Sequence, residues 1–316
     1  MDPEYFNSYV MSWGTLGTVR PFPGLNPEKD ALAVQTALEK KDVVSLVSIL
    51  TNRNSAQRQM VDKAYRGIGQ KDLETGLKKV LSGDLLSLML ALMMTPYEHE
   101  AHRLRQAMEG LGTNEETLLE ILCTRSAPQL KETNTAYSEI YKKDLEKDLK
   151  GETSGDFAKL IVALLHKDNV VGVVQSDIEA LSASLDTKKT DPAIWINILT
   201  SRDAVHLQKV LMRLEMERGE PLDKILEKRF SGDFRMGLKT LVQCIQSPHV
   251  FLAQRLVSMK TALVHGVMVS RCEEDLLCVR AAFLKLTGTS LYTTLQQKHF
   301  KGEHLQALLA ICRSED

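Results

Sequence analysis

The sequence predicts an all-α protein built from four successive copies of one helical unit. Three observations carry that prediction. The first is a phrase ending in arginine: "ILTNR" at Arg53, "ILCTR" at Arg125, "ILTSR" at Arg202 and "VMVSR" at Arg271. The second is a glycine phrase that follows each arginine at a nearly constant step: Gly83 in "LSGDLL", Gly155 in "TSGDFA", Gly232 in "FSGDFR" and Gly302 in "FKGEHL". Self-similarity at one long period is the signature of a repeat architecture. The third is helical periodicity inside the unit. "FAKLIVALL" places Phe157, Leu160, Ile161, Leu164 and Leu165 on one helix face, and "HLQKVLMRL" does the same with Leu207, Val210, Leu211 and Leu214. No stretch alternates like a strand between hairpin turns.

Residues 1–28 stand apart as a tail, because Pro21, Pro23 and Pro27 with Gly14, Gly17 and Gly24 oppose a regular helix. The four units are assigned to residues 29–96, 97–167, 168–247 and 248–316, with Lys167 to about Gln175 linking the two halves. In the second unit Thr113 is expected as an N-cap, with Glu116 in the third place after it completing a capping box. In the third, Pro192 follows Thr190 and Asp191 as a first-turn proline. The recurring arginine is expected inside a mostly apolar helix. A buried arginine is tolerated only when paired, so each copy is expected to meet a buried partner.

Composition narrows the function classes. A chain of 316 residues with net charge -1 has no bulk attraction for nucleic acid or for an anionic surface, so any such contact must be local. Five cysteines without paired spacing fit a reducing compartment better than a disulfide framework. The start "MDPEYFNSYVMSWG" lacks the apolar run of a signal peptide, and no stretch approaches the ~20 apolar residues of a membrane span. A cytoplasmic protein is expected, with any membrane association peripheral.

"MEGLGTNEETLLEILCTR", from Met108 to Arg125, is the most unusual phrase. Gly110 and Gly112 flank Leu111, which puts a bulky apolar residue at the tip of a flexible turn. With the four repeats, "GLGT" and a carboxylate just ahead of "TSG", the chain resembles the annexin family. "ILTNRNSAQRQ", "DLEKDL", "TSGDFAKLIVAL" and "LVQCIQ" carry the likeness over nearly all of the chain after the tail. Within the family these phrases are similar to the calpactin heavy chain branch, and the tail and repeats also to the pemphaxin branch. The resemblance implies a curved disc of four five-helix repeats. It also implies calcium as cofactor, anionic phospholipid membranes as partner, and the N-terminal tail as the place for a protein partner.

By the same resemblance, the carbonyls of Met108, Gly110 and Gly112 face one ion. A bidentate carboxylate arrives at a fixed step after the repeat arginine, and in this copy it is Glu152. Calcium takes six to eight oxygens, so this set leaves room for lipid phosphate and water. Leu111 is then the membrane contact, an apolar group that enters the acyl boundary. The other copies have no carboxylate at that position. The first has Val80, the third Arg229, and the fourth Lys298 or, allowing for an insertion, His299. Their loops also lack the double glycine. Glu109 stands where the family prefers a basic residue and Asn114 where it often has aspartate, so the surviving site is expected to bind membranes below full strength. Basic residues appear where ligands are missing, above all Lys188, Lys189 and Arg229, which are candidates for calcium-independent lipid contact.

Other motifs carry less. "HEAH" at His99–His102 is one position short of the zinc-protease spacing and is expected to be solvated. "GIGQKD" lacks the Gly-Lys-Ser/Thr of a phosphate loop, and Cys123, Cys272 and Cys278 are expected as packing residues. No catalytic arrangement emerges. The expected function is calcium-dependent phospholipid binding through one loop, and the alternative is an interaction scaffold in which lipid binding has faded.

Overall fold

A computed structural model describes residues 14–69 and 71–313. Twenty helices and no strand occur among these residues, in four successive sets of five. The first set is α1 (Pro27–Lys40), α2 (Val43–Thr51), α3 (Ser55–Gly67), α4 (Leu73–Val80) and α5 (Gly83–Met93). The second is α6 (Pro96–Met108), α7 (Glu115–Thr124), α8 (Ala127–Tyr141), α9 (Leu145–Glu152) and α10 (Gly155–Leu165). The third is α11 (Val174–Leu185), α12 (Pro192–Ser201), α13 (Ala204–Arg218), α14 (Leu222–Arg229) and α15 (Gly232–Gln246). The fourth is α16 (Pro248–Leu256), α17 (Thr261–Arg271), α18 (Leu276–Thr287), α19 (Leu291–Gln297) and α20 (Gly302–Cys312).

The chain divides into two compact units. Among the described residues, one takes in those up to His99 together with those from Leu252; the other is Glu100–Phe251. In the first, α2 packs on α20 and α5 packs on α17, with Leu46, Leu50, Leu88, Met89, Val267 and Leu308 fully buried between them. In the second, α7 packs on α15 and α10 packs on α12 and α15, around Leu118, Leu119, Leu160, Ile161 and Leu238. Gly237 lets α15 approach α10 closely, since a Cβ there would lie 2.7 Å from Leu160 Cδ2.

The two repeated sequence marks have separate structural causes. Each fifth helix begins on its glycine, at φ +59° for Gly83, +60° for Gly155, +61° for Gly232 and +55° for Gly302. A left-handed first residue turns the chain sharply into the helix, a conformation that glycine accepts and other L-residues resist. The arginines lie at helix ends rather than in helix interiors. Arg125 and Arg202 are C-caps of α7 and α12, Arg53 follows the C-cap of α2, and Arg271 is the last residue of α17. A cation there opposes the negative end of the helix dipole. Three meet an acid in the first helix of their set: Arg53 grips Asp30 at 2.6 and 2.9 Å, Arg125 meets Glu100 at 2.6 Å, and Arg202 grips Asp177 at 2.9 and 3.2 Å. Both members are buried, as expected, only in the Arg125 pair, since Asp30 and Arg202 are half-buried. Arg271 lies 3.5 and 3.6 Å from Asp275 and Glu274 just downstream.

Two local expectations need correction, the end of the tail and the exposure of His99. Helix α1 starts at Pro27, inside the expected tail, because Asn26 caps it and proline suits the first helical position. Residues 15–22 are held in place: Val19 N–H donates to Cys272 O at 2.8 Å, Thr18 Oγ1 donates to Ile311 O at 2.6 Å, and the Arg53 guanidinium lies 3.6 Å from the Phe22 ring centroid. Residues 1–13 lie outside the described residues. In the linking segment, Val170 N–H donates to Ser201 O at 2.8 Å, and the half-buried Lys167 donates from its ammonium to Arg125 O at 2.8 Å. His99 is buried rather than solvated, and His102 bonds the Tyr141 hydroxyl at 3.1 Å. No disulfide joins the five cysteines, four of which are buried and Cys278 half-buried.

Candidate functional site

The loop after α6 is closed at its base by Asn114 N–H donating to Ala107 O at 2.8 Å. Asn114, not Thr113, is the N-cap of α7, and its side chain accepts from Thr117 N–H at 3.0 Å. The chain between these points turns on two left-handed glycines, Gly110 at φ +98° and Gly112 at φ +84°. A Cβ at either would meet nothing within 4 Å, so their requirement is conformational rather than spatial. Leu111 between them is fully exposed, at 109% of its reference area.

Glu152 ends α9 and faces this loop. Thr113, released from the capping role, donates through Oγ1 to Glu152 Oε2 at 3.0 Å and to Glu152 O at 3.3 Å. Thr113 is the site residue that sequence reading missed as such, because threonine with glutamate in the third place after it also fits a capping box. No hydrogen bond among the described residues ends on the carbonyl of Met108, Gly110 or Gly112. Three unengaged main-chain carbonyls and one carboxylate are hard oxygens of the kind calcium prefers. Among the described residues, no three His, Cys, Asp or Glu side chains cluster as metal ligands, so any ion held here relies on the backbone.

Neighbouring charges hold the loop's flanks. Arg105 Nε donates to Glu109 Oε1 at 2.7 Å, so the acid that departs from the family pattern is paired with its own helix end. Arg105 also lies 3.4 Å from Asp148 Oδ2, to which the Tyr137 hydroxyl donates at 2.6 Å. Burial and the Asp148 bond push the Tyr137 phenol up to about 12. This network ties α6, which leads into the loop, to α8 and to α9, which carries the carboxylate.

The other three copies are built differently. Val80 ends α4 and supplies no oxygen donor from its side chain. In the fourth, the His299 ring rather than Lys298 reaches the opposing element, 3.2 Å from Thr261 Oγ1. In the third, Arg229 ends α14, and its Nη1 donates to Thr187 O at 3.2 Å, while Lys188 and Lys189 are exposed on that loop.

The annexin family model matches residues 29–92, 99–164 and 176–241. The chain belongs to the annexin family. It is 35% identical over 327 aligned positions to annexin A1 of Bos taurus, covering 98% of this chain and 94% of that protein. Among solved structures it is similar to annexin III, with a TM-score of 0.92, 35% identity, and 95% and 98% of the two chains covered. It shares the fold of calcium-bound annexin (Sm)1 at a TM-score of 0.83 and 21% identity, with 95% and 93% covered. Annexins are known for calcium-dependent phospholipid binding and are in general non-enzymatic binding proteins. No described helix of this annexin is long and apolar enough to cross a membrane.

Proposed function

We propose that this annexin is a peripheral membrane protein that binds anionic phospholipid through one calcium ion. The carbonyls of Met108, Gly110 and Gly112 and the carboxylate of Glu152 would hold the ion. The observation that carries this reading is the Thr113–Glu152 bond, which keeps a carboxylate at the base of a double-glycine loop whose carbonyls are not engaged elsewhere. When bound, the ion supplies a positive charge shared between these oxygens and lipid phosphate. The protein's own part is to pre-orient its oxygens and to present Leu111, whose exposed side chain can enter the acyl boundary. Because Arg105 pairs Glu109, that acid repels headgroups less than its bare charge implies.

We also assign residues 248–316 as a fourth repeat, on the strength of Arg271, Gly302 and the helix set α16–α20. Membrane binding through one loop requires more calcium than binding through several, because weak sites on one surface reinforce each other. The test is co-sedimentation with phosphatidylserine vesicles across a calcium titration. Glu152→Gln is expected to weaken pelleting far more than changes at Val80, Arg229 or Lys298. Equal pelleting of Glu152→Gln and wild type would refute the assignment. The absence of a carboxylate in three of four copies favours the second reading, an interaction scaffold that uses its tail to meet a protein partner. Failure of wild type to pellet at any calcium concentration would support it.

A further inference from the structure

The third loop follows the register of the second. Counted back from the repeat arginines Arg125 and Arg202, Gly110 and Thr187 stand at the same step, as do Leu111 and Lys188, and Thr113 and Thr190. Asn114 and Asp191 also correspond, and both are the N-caps of the following helices, so the two loops end alike. Glu152 and Arg229 are each the last residue of the fourth helix of their set.

In this register, the Arg229 guanidinium donates to Thr187 O, which corresponds to Gly110 O in the second loop. A fixed cation thus lies on the carbonyl equivalent to one assigned to calcium. The exchange leaves a mark on the threonine. Thr113 Oγ1 bonds Glu152, whereas Thr190 Oγ1 is buried and has no partner. Lys188 and Lys189 are exposed where Leu111 and Gly112 stand in the other loop. The acid at the start of this loop does not cancel them, because Arg218 grips Asp186 at 2.7 and 3.0 Å. Arg229 is itself exposed and spends one N–H on Thr187, which leaves other edges of a planar, permanently charged group for a ligand.

We propose that Arg229, Lys188 and Lys189 form a calcium-independent site for phosphate anions, in which the guanidinium takes the place of the ion. The ligand chemistry is a phosphate group, carried by an anionic lipid headgroup or free in solution. The inference takes from the calcium reading only the role of the Gly110 carbonyl, and its test is run in chelator, where that site is silent.

Wild type is expected to pellet with phosphatidylserine vesicles in chelator at low salt, to lose binding at high salt, and to ignore phosphatidylcholine. Each fixed cation near an anionic leaflet contributes about a fivefold change in partition. Neutralising Lys188, Lys189 and Arg229 together should therefore lower apparent affinity on the order of a hundredfold. Arg229→Gln alone keeps an amide donor for Thr187 but loses the charge, so it should bind several-fold more weakly with unchanged thermal stability. Glu152→Gln should bind like wild type in chelator, which separates this site from the calcium loop. Inorganic phosphate that displaces vesicles better than chloride at matched ionic strength identifies a discrete phosphate site. Equal displacement identifies the headgroup surface. No binding by wild type in chelator at low salt, or full binding by the triple variant, would overturn the proposal.

Discussion

Thr113 holds the Glu152 carboxylate through one 3.0 Å hydrogen bond, and that single contact orients the proposed ligand. Removing an outer partner that orients a metal ligand typically costs about 10- to 100-fold in affinity. Thr113→Val keeps the shape and removes the hydroxyl, so half-maximal vesicle binding should need at least about tenfold more calcium. An unchanged calcium titration would show that Glu152 needs no such tether. A second residue-scale case is Arg125, paired with Glu100 in a site where both side chains are 4% exposed and Arg103 and Glu120 form a 2.7 Å pair alongside. Arg125→Leu leaves Glu100 short of its closest cation, and breaking a buried pair in this way costs about 3–5 kcal/mol. Urea unfolding measures the loss. Gly17 is a steric case, since a Cβ there would lie 2.5 Å from the backbone carbon of Glu273. Gly17→Ala should shift the N-terminal segment away from Glu273 and lower stability by about 1–3 kcal/mol.

At the scale of the helix, two nearby glycines should respond with opposite signs. Gly151 lies within α9 with open space around it, whereas Gly155 starts α10 at φ +60°. Gly151→Ala should stabilise by up to about 1 kcal/mol through helix propensity. Gly155→Ala should destabilise by about 1–2 kcal/mol through left-handed strain. Thermal melts of the two variants decide it. Helices α17 and α20 carry a pH-sensitive contact, His265 Nε2 at 2.7 Å from His304 Nε2. Burial pushes the His265 imidazole down from 6.5 to about 4, with the His304 ring adding to the fall and Asp84 opposing it. Burial lowers His304 as well, against Asp84 and alongside His299. A histidine kept neutral by folding binds fewer protons than the unfolded chain. Its contribution is therefore present above pH 6.5 and is lost as pH falls toward about 4. Denaturant midpoints should drop across that window, and His265→Gln should flatten the drop.

For the whole chain, the pairing of helix sets matters more than their order. The unit Glu100–Phe251 is continuous in sequence, whereas the other unit needs segments from both ends. Within that discontinuous unit α2 rests on α20 and α5 rests on α17, so residues 14–99 lack their packing partners when taken alone. A fragment of residues 100–251 is expected to show cooperative helical melting by circular dichroism, and a fragment of residues 14–99 is not. Cooperative melting of the shorter fragment would show that its five helices suffice for a core.

Much of this was legible in the residues because it rests on short-range rules. The helical period of "FAKLIVALL", the constant step from arginine to glycine and the Gly-Leu-Gly turn each follow from local backbone preference or from spacing along the chain. The same rules misread Thr113, because Thr113 and Asn114 are both good caps and only the position of Glu152, far downstream, separates them. Partners far apart in sequence had no local mark. The Arg125–Glu100 pair, the Thr18–Ile311 bond and the hold of Arg229 on Thr187 all join segments that no local pattern connects. Arginine at position 229 could be counted as a missing carboxylate from the sequence, but its hold on a loop carbonyl depends on where the end of α14 comes to lie against the loop between α11 and α12. Backbone propensity and repetition decided the helices. Burial and charge pairing between distant segments decided which of them meet and what the loops can hold.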